Sequence, residues 1–250
     1  MKRRYLVGVV VVTLWVFMPG AGAETPSAAE ILKRVDTNMA SNTKVAVSEM
    51  IIHGRRASRS LKAKSWTEGV TRSFTEYLEP PRDAGTKMLK LADELWTYTP
   101  DTDRIIRISG SLLRQSVMGS DLSYEDLMED PVLGNIYEPS MAGEETVLDR
   151  PCWILELAAK KEDIAYYRRK IWVDKERFVV LKEEMYARSG KLLKTLDAKS
   201  IRLFGKRWVP DRAVYKDVMK DGDGTEFIID SMEFDAAIPE YVFSKASLRR

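Results

Sequence analysis

Short runs of β-branched and aromatic residues, divided by turn residues, fill the sequence from Lys44 to Phe234. Typical dividers are Pro100-Asp101-Thr102-Asp103 and Ser189-Gly190, whose residue types favour tight turns. The pattern predicts an antiparallel meander of about a dozen short strands with few helices between them. A sheet of that size has to curl to avoid long exposed edges, so we expect a mainly β fold shaped as a barrel or half-barrel.

A helix is expected before the first strand, from Ser27 to Ala40. Ser27 can cap this helix, and Glu30, three residues on, completes a capping box. The apolar residues that recur at helical spacing are Ile31, Leu32, Val35 and Met39.

Residues 109–140 interrupt the meander. Ser120–Met128 predicts a short helix, because Ser123 can cap it and Asp126 lies at the capping-box position. The residues that indicate a loop after it are Pro131, Gly134 and Pro139. The next strand is expected at Glu145–Leu148. Long excursions of this kind are usually functional or mobile, so we expect a lid over one face of the sheet.

The first 23 residues have the pattern of a cleavable secretory signal peptide. Residues 2–4 are basic, Tyr5–Met18 carries no formal charge, and Ala21-Gly22-Ala23 gives the small-x-small pattern of a cleavage site. The alternative is an uncleaved anchor, but the apolar run is shorter than the roughly 20 residues that span a bilayer. We therefore predict cleavage after Ala23, a periplasmic location, and one domain over residues 24–250.

Charge and cysteine content narrow the classes of partner and fold. The formal net charge is +2, and residues 2–4 contribute three positive charges with no acid before residue 24, so the rest of the chain carries a net charge of −1. This composition gives no support to nucleic acid or an anionic membrane as a partner, and we expect a monomer. Cys152 is the only cysteine, so the core has to hold the fold without an internal disulfide.

The sequence offers little for catalysis or metal binding. His53 is the only histidine, it lies at the end of a strand, and no nucleophile motif accompanies it. Cys152 stands between proline and tryptophan at the head of an apolar strand, as expected of a small buried residue. One histidine and one cysteine make zinc improbable, and the calcium-loop-like turn at 221–226 has Glu226 where glycine is required. We therefore predict no enzyme activity, no catalytic residue, no metal site and no cofactor.

Two charged clusters have open interpretations. The basic cluster is Arg55, Arg56, Arg59, Lys62 and Lys64. It is either a solvated hairpin or a docking patch for an acidic partner or a lipid head group. The acidic cluster is Asp121, Glu125, Asp126, Glu129 and Asp130. It is either a docking surface on the lid or a device that keeps the lid soluble.

An ordered set of motifs resembles the outer-membrane lipoprotein-sorting protein family, which belongs to the wider group of periplasmic lipoprotein carriers and their outer-membrane receptors. The set begins with Leu91–Pro100, Arg104–Ile108 and the block MGSDLSYEDL at 118–127. It continues with Gly143-Glu144-Glu145, Trp172–Lys175, Gly190–Thr195, Ile238-Pro239 and Phe243. The resemblance spans almost the whole chain after the signal peptide.

The resemblance implies a curved antiparallel sheet that forms an unclosed half-barrel with helices on its concave side. In such carriers the cavity between sheet and helices accepts acyl chains. The implied function is a periplasmic carrier or binding protein for a lipoprotein, lipid or other hydrophobic cargo, in transport to the outer membrane. Its partners would be the acyl chains, an inner-membrane exporter and an outer-membrane acceptor.

Seven residues are candidates for contact with such a cargo. They are Trp96, Tyr98, Met118, Leu122, Tyr124, Leu127 and Met128. Methionine and aromatic side chains suit an adaptable apolar wall, but the same residues can equally belong to the core. A second function also stays open, that of an accessory protein of a membrane exporter or envelope complex whose cavity is filled by its own side chains.

Overall fold

The computed structural model describes residues 25–250, so the predicted signal peptide, residues 1–23, lies outside the described residues. These residues form one sheet of 13 antiparallel strands. The strands are β1 (Thr43–His53), β2 (Ser58–Glu68), β3 (Arg72–Glu79), β4 (Lys87–Leu91), β5 (Glu94–Thr99), β6 (Arg104–Ile108), β7 (Tyr137–Val147), β8 (Arg150–Ala159), β9 (Arg168–Asp174), β10 (Val180–Tyr186), β11 (Leu192–Phe204), β12 (Arg207–Asp217) and β13 (Gly224–Phe234).

Short helices accompany the sheet. The α-helices are α1 (Ala28–Met39), α2 (Tyr124–Met128) and α3 (Leu133–Ile136). The 3₁₀ turns are Pro100–Thr102, Gly110–Arg114, Val117–Gly119, Glu240–Phe243 and Lys245–Arg249. Over residues 25–250, no helix combines the length and the apolar character needed to cross a membrane.

The chain changes edge between β6 and β7. Strands β1 to β6 lie side by side in chain order, and β7 to β13 return from the opposite edge until β13 pairs with β1. Within the described residues the edge strands β6 and β7 do not pair, so the sheet is not closed into a barrel. Because these strands lie at opposite edges, residues 109–136 have to cross a face of the sheet. The curved, unclosed sheet with helices on its concave side confirms the predicted fold class.

Strand β7 corrects the expected loop. The structure continues the strand back to Tyr137 and ends it at Val147, whereas the sequence predicted a loop through Pro139 and a strand at Glu145–Leu148. Proline removes one backbone donor, which an edge strand tolerates because only one of its sides is paired. β7 is such an edge strand and pairs only with β8.

Strand β4 shows what covers each face of the sheet, because successive side chains point to opposite faces. Leu89 is fully buried in one apolar cluster with Val242 and Phe243 of the C-terminal segment. Its neighbour Met88 belongs to a different cluster that contains Val117. The C-terminal residues therefore cover the convex face, and the connection between β6 and β7 covers the concave face.

Helix α1 also lies on the concave face, at the end of the sheet formed by β7, β8 and β9. It begins with the predicted capping box, in which Ser27 Oγ accepts from the Glu30 backbone N–H at 3.3 Å and the Glu30 carboxylate accepts from the Ser27 N–H at 2.8 Å. Its buried residues are Ile31, Leu32 and Val35, and their partners in the sheet are Tyr137, Trp153, Leu155, Leu157, Ile171 and Val173. Each large apolar side chain buried in this way contributes roughly 1.5–3 kcal/mol.

Candidate functional site

The candidate site lies where residues 109–136, here called the lid segment, cross the concave face. Beneath them five side chains from β1, β2, β3, β4 and β13 form an apolar floor. These side chains are Met50, Leu61, Tyr77, Met88 and Phe227. Met50 is the direct cross-strand partner of both Leu61 and Phe227, which places the three on one face. The lid side chains that pack on this floor are Val117, Met118, Tyr124 and Leu127.

A buried aspartate fixes the middle of the lid segment to the sheet. Asp121 is 5 % exposed, and its carboxylate accepts from the Thr225 hydroxyl at 2.7 Å and from the Asp217 backbone N–H at 2.9 Å. Lys220 donates to the Ser116 hydroxyl at 2.5 Å. These contacts are side-chain hydrogen bonds and not apolar packing.

A buried lysine fixes helix α2 from below. Lys90 is 7 % exposed, and its Nζ donates to the carbonyl oxygens of Leu127 and Met128 at 3.2 Å and 3.3 Å. Burial lowers the pKa of Lys90, and the nearby charge of Asp130 opposes this effect. A charged donor at the end of α2 also suits the partial negative charge of the last carbonyls of a helix.

Asp126 gathers the remaining contacts of helix α2. It accepts from the Ser123 backbone N–H at 2.6 Å in the predicted capping box, and it also accepts from the Tyr166 hydroxyl and the Lys194 ammonium. Burial by itself raises the pKa of Asp126. The charge of Lys194 and these hydrogen bonds outweigh burial and lower the pKa.

Arg169 is the centre of a second group of ionic contacts. It is 6 % exposed and pairs with Glu129 of the lid segment and with Glu183 of β10, the latter at 2.7 Å. Its Nε donates to the Tyr137 hydroxyl at 2.9 Å, and that hydroxyl donates to the Tyr166 carbonyl oxygen at 2.9 Å. Burial raises the pKa of Glu129 above its usual value, although Arg169 opposes the shift.

These groups line a partly open cavity of 220 Å³, here called the charged cavity. Its lining is Leu122, Asp126, Leu127, Glu129, Tyr166, Arg169, Glu183, Met185, Lys194 and Tyr215. Ionic groups and tyrosines thus form one part of its wall, and apolar side chains of the lid segment and of β10 form the other.

The structure separates the seven predicted cargo-binding residues into two groups. Trp96 and Tyr98 are cross-strand partners of Leu89 and Lys87, so they lie on the convex face beneath the C-terminal segment. The other five, Met118, Leu122, Tyr124, Leu127 and Met128, lie together in the lid segment. Of these, Leu122 and Leu127 line the charged cavity, and the Met128 carbonyl accepts from Lys90.

The acidic cluster does not form the free docking surface that the sequence left open. Asp121, Asp126 and Glu129 bind the sheet, and Asp130 accepts from the Val132 backbone N–H at 2.9 Å within the lid segment. Their basic partners were not recognised from the sequence, because they are far along the chain. One available signal was that Arg169 alternates in phase with the apolar residues 171 and 173 of β9.

The remaining polar candidates have ordinary surroundings. The His53 imidazole lies 3.1 Å from the Ser58 hydroxyl and 3.7 Å from Glu226. Cys152 is fully buried, as predicted, and burial raises the pKa of its thiol to about 11. In the basic cluster, Arg59 pairs with Asp83 at 2.7 Å and Lys62 pairs with Asp230 at 2.9 Å. Residues 25–250 contain no group of three or more histidine, cysteine or acidic side chains arranged to hold a metal ion.

Comparison with solved structures defines the class of protein. A DUF1329 family protein from Desulfovibrio piger superposes with a TM-score of 0.80 at 25 % identity, covering 88 % of this chain and 97 % of the other. A putative outer membrane lipoprotein-sorting protein domain from Vibrio parahaemolyticus superposes with a TM-score of 0.77 at 25 % identity, covering 89 % of this chain and 98 % of the other. A LolA superfamily protein from Nitrosomonas europaea superposes with a TM-score of 0.72 at 22 % identity, covering 89 % of this chain and 100 % of the other. This protein therefore has the fold of the lipoprotein-sorting class, as the sequence motifs predicted.

A family model also matches most of the chain. The model, whose description reads "-like: Uncharacterized protein", matches residues 69–250, and the chain belongs to this family. No curated protein matches the chain.

Proposed function

We propose that this protein is a periplasmic carrier or binding protein that holds a hydrophobic chain, such as a lipoprotein acyl group or another lipid, between the lid segment and the apolar floor. One observation carries the proposal: the lid segment packs apolar side chains on an apolar floor, and its other contacts with the sheet are hydrogen bonds and ion pairs. The fold of the lipoprotein-sorting class supports the same function. The proposed role is binding without catalysis.

Hydrogen bonds and ion pairs of this kind suit a lid segment that has to open. Displacing the lid segment exposes Met50, Leu61 and Met88, and an acyl chain can then replace the lid side chains against them. Burial of an acyl chain gains about 0.8 kcal/mol per CH₂. The polar contacts, in contrast, are replaced by contacts with water when the lid segment opens, at a net cost of about 1.5–3 kcal/mol for each hydrogen bond to a charged group. Residues 1–23 would direct export, and an inner-membrane exporter and an outer-membrane acceptor would be the partners.

The test is to extract lipid from the purified protein and to weigh the intact complex by native mass spectrometry. We expect co-purifying acyl species, and Leu127→Asp should lower the bound fraction at least about tenfold, because it places a charge against the bound hydrophobic chain. Ile106→Asp, at a site that is 47 % exposed on the edge strand β6, is the matched control and should bind like the unaltered protein. Unchanged binding by Leu127→Asp, with circular dichroism unchanged, would contradict the proposal.

A second function has one observation in its favour. The lid side chains cover the floor, and the partly open charged cavity beside it measures only 220 Å³. This arrangement fits an accessory protein of a membrane exporter or envelope complex whose interior is filled by its own side chains. Protein that is consistently free of lipid but captures a membrane complex would favour this second function.

A further inference from the structure

The charged cavity adjoins the apolar floor. Leu127 belongs to both, because it packs in the floor cluster and also lines the cavity. Tyr215 lines the cavity, and its ring meets the floor residue Phe227 edge-on with centroids 5.4 Å apart. A ligand lying across this junction would place an apolar part on the floor and a polar part in the cavity.

The charges that line the cavity do not balance. Asp126 pairs with Lys194, whereas Glu129 and Glu183 share the single guanidinium of Arg169. Three carboxylates therefore face two cations. An uncompensated charge in a buried site is costly, so the site favours a further cation or a proton.

Two oxygen atoms of the lining have no donor among residues 25–250, and both are accessible to solvent from the cavity. Glu183 is 8 % exposed, and its Oε1 accepts from Arg169 while its Oε2 accepts no hydrogen bond. The Tyr215 hydroxyl likewise has no hydrogen-bond partner in the described chain, and the charges that act on it are those of Glu183, Arg169, Asp126 and Glu129. Both oxygens belong to residues that line the same cavity.

The volume and chemistry of the cavity fit a small cationic group. A volume of 220 Å³ holds about seven waters at about 30 Å³ each, which is too little for a long acyl chain. A primary ammonium has three donors for the free carboxylate and hydroxyl oxygens. The Tyr166 ring already attracts the cations of Arg169 and Lys194, which lie 5.1 Å and 5.9 Å from its centroid.

We propose that the charged cavity binds the primary ammonium head of an amphiphile whose tail lies on the apolar floor. The position of the tail rests on the proposed function, whereas the preference for an ammonium head group rests on Glu183, Tyr215 and the unbalanced charge. The cavity thereby defines the class of cargo as amine-bearing lipids or lipidated amines.

The experiment compares three probes that share a twelve-carbon tail, namely dodecylammonium, 1-dodecanol and dodecanoate, below their micelle concentrations. Calorimetry on the full chain should show dodecylammonium binding at least about tenfold more tightly than 1-dodecanol, and dodecanoate binding most weakly. Glu183→Gln should lower the affinity for dodecylammonium about tenfold and leave that for 1-dodecanol unchanged.

Two further variants keep the test decisive. Tyr215→Phe removes a hydroxyl without a described partner, so it should fold normally and lower the affinity for dodecylammonium about threefold to tenfold. Glu184→Gln is the matched control, because Glu184 points to the other face of β10, where Tyr186 donates to it. It should bind all three probes like the unaltered protein.

The outcomes separate the two proposals. Equal binding of dodecylammonium and 1-dodecanol, unchanged in Glu183→Gln and Tyr215→Phe, would overturn the ammonium site and leave the apolar carrier standing. Binding of dodecylammonium without 1-dodecanol would support the site and contradict the apolar floor as the tail site. Failure of all three probes to bind would overturn both.

Discussion

At the scale of single residues, Asp126 holds the lid segment through more contacts than its position in a short helix suggests. Its carboxylate caps α2 through Ser123 and also reaches Lys194 and Tyr166 of the sheet. Lys194 is 7 % exposed, so loss of Asp126 would leave a buried ammonium without its partner. Removing one member of a buried ion pair is far more costly than exchanging the pair for apolar residues.

Asp126→Asn should therefore lower the free energy of unfolding by about 3 kcal/mol. Urea unfolding followed by circular dichroism measures this change. Glu125→Gln is the matched control, because this neighbouring residue forms no described ion pair, and it should change stability by less than about 0.5 kcal/mol. Equal stability of the two variants would contradict the assigned role of Asp126.

The same comparison has a defined pH dependence. The pKa of Asp126 in the folded protein lies below the ordinary value of 3.8. Its contribution to stability is therefore complete above that value and is lost as the pH falls through the folded pKa. The difference between the unaltered protein and Asp126→Asn should be constant near neutral pH and shrink below pH 3.8. A difference that grows on acidification would contradict the assignment.

The adjacent residues Arg168 and Arg169 show which properties of single residues can be predicted from the sequence and which cannot. Arg168 is half-buried and pairs with Glu156, whereas Arg169 is 6 % exposed and organises the charged cavity. Strand alternation puts them on different faces, and the apolar residues in phase with Arg169 favour its face as the covered one, but the sequence does not show which residues cover it. That depends on the lid segment, whose contacts with Arg169 join residues 40 positions apart.

At the scale of elements, strand β4 carries two buried lysines with different tasks. Lys90 donates to the carbonyls of Leu127 and Met128 at the end of α2, on the concave face. Lys87 donates to the carbonyl oxygen of Arg250, on the convex face. Each lysine ties one covering segment to the sheet.

Lys90→Met should loosen α2 without disturbing the C-terminal segment. A hydrogen bond to a charged group is worth about 1.5–3 kcal/mol, so amides of Tyr124–Met128 should exchange with deuterium roughly tenfold faster or more. Lys87→Met is the matched control and should accelerate exchange in residues 245–250 only. Equal effects of both variants on α2 would show that β4 is merely destabilised.

Local signals predicted the elements whose ends are fixed by neighbouring residues. The capping boxes Ser27–Glu30 and Ser123–Asp126 placed α1 and α2, because each involves residues three positions apart. The start of β7 was wrong, because Pro139 is tolerated only on an edge strand, and the edge is a property of the whole sheet. The sequence likewise could not show that Trp96 lies on the convex face. That placement depends on contact with the C-terminal segment, in which Val242 is 146 positions further along the chain.

At the scale of the whole molecule, the open sheet leaves two edges. The edge strand β6 has Ile106 at 47 % exposure between the exposed residues Arg104 and Arg107. Charged residues on an edge strand discourage pairing with a second copy of the sheet.

Replacing both Arg104 and Arg107 by valine should therefore cause association that increases with protein concentration. Light scattering after size-exclusion chromatography measures the effect. Exchange of both arginines for lysine keeps the charge and should leave the oligomeric state as it was. If the lysine variant associated to the same extent as the valine variant, the charge on the edge strand would not be what prevents association.

The same topology explains why a cover lies across the concave face. The chain leaves β6 at one edge and enters β7 at the other, so the connection has to span the sheet, and its apolar side chains lie on the floor. The central claim is that a hydrophobic chain can take the place of those side chains.

Methionine methyl groups report this exchange directly, because Met50 and Met88 belong to the floor and Met118 to the lid segment. In a titration of methyl-labelled protein with 1-dodecanol, NMR signals of these three should shift together and saturate. Met39 and Met219, which are 36 % and 64 % exposed elsewhere on the surface, should stay unchanged. Unmoved signals of Met50 and Met88, or shifts confined to Met219, would contradict the account.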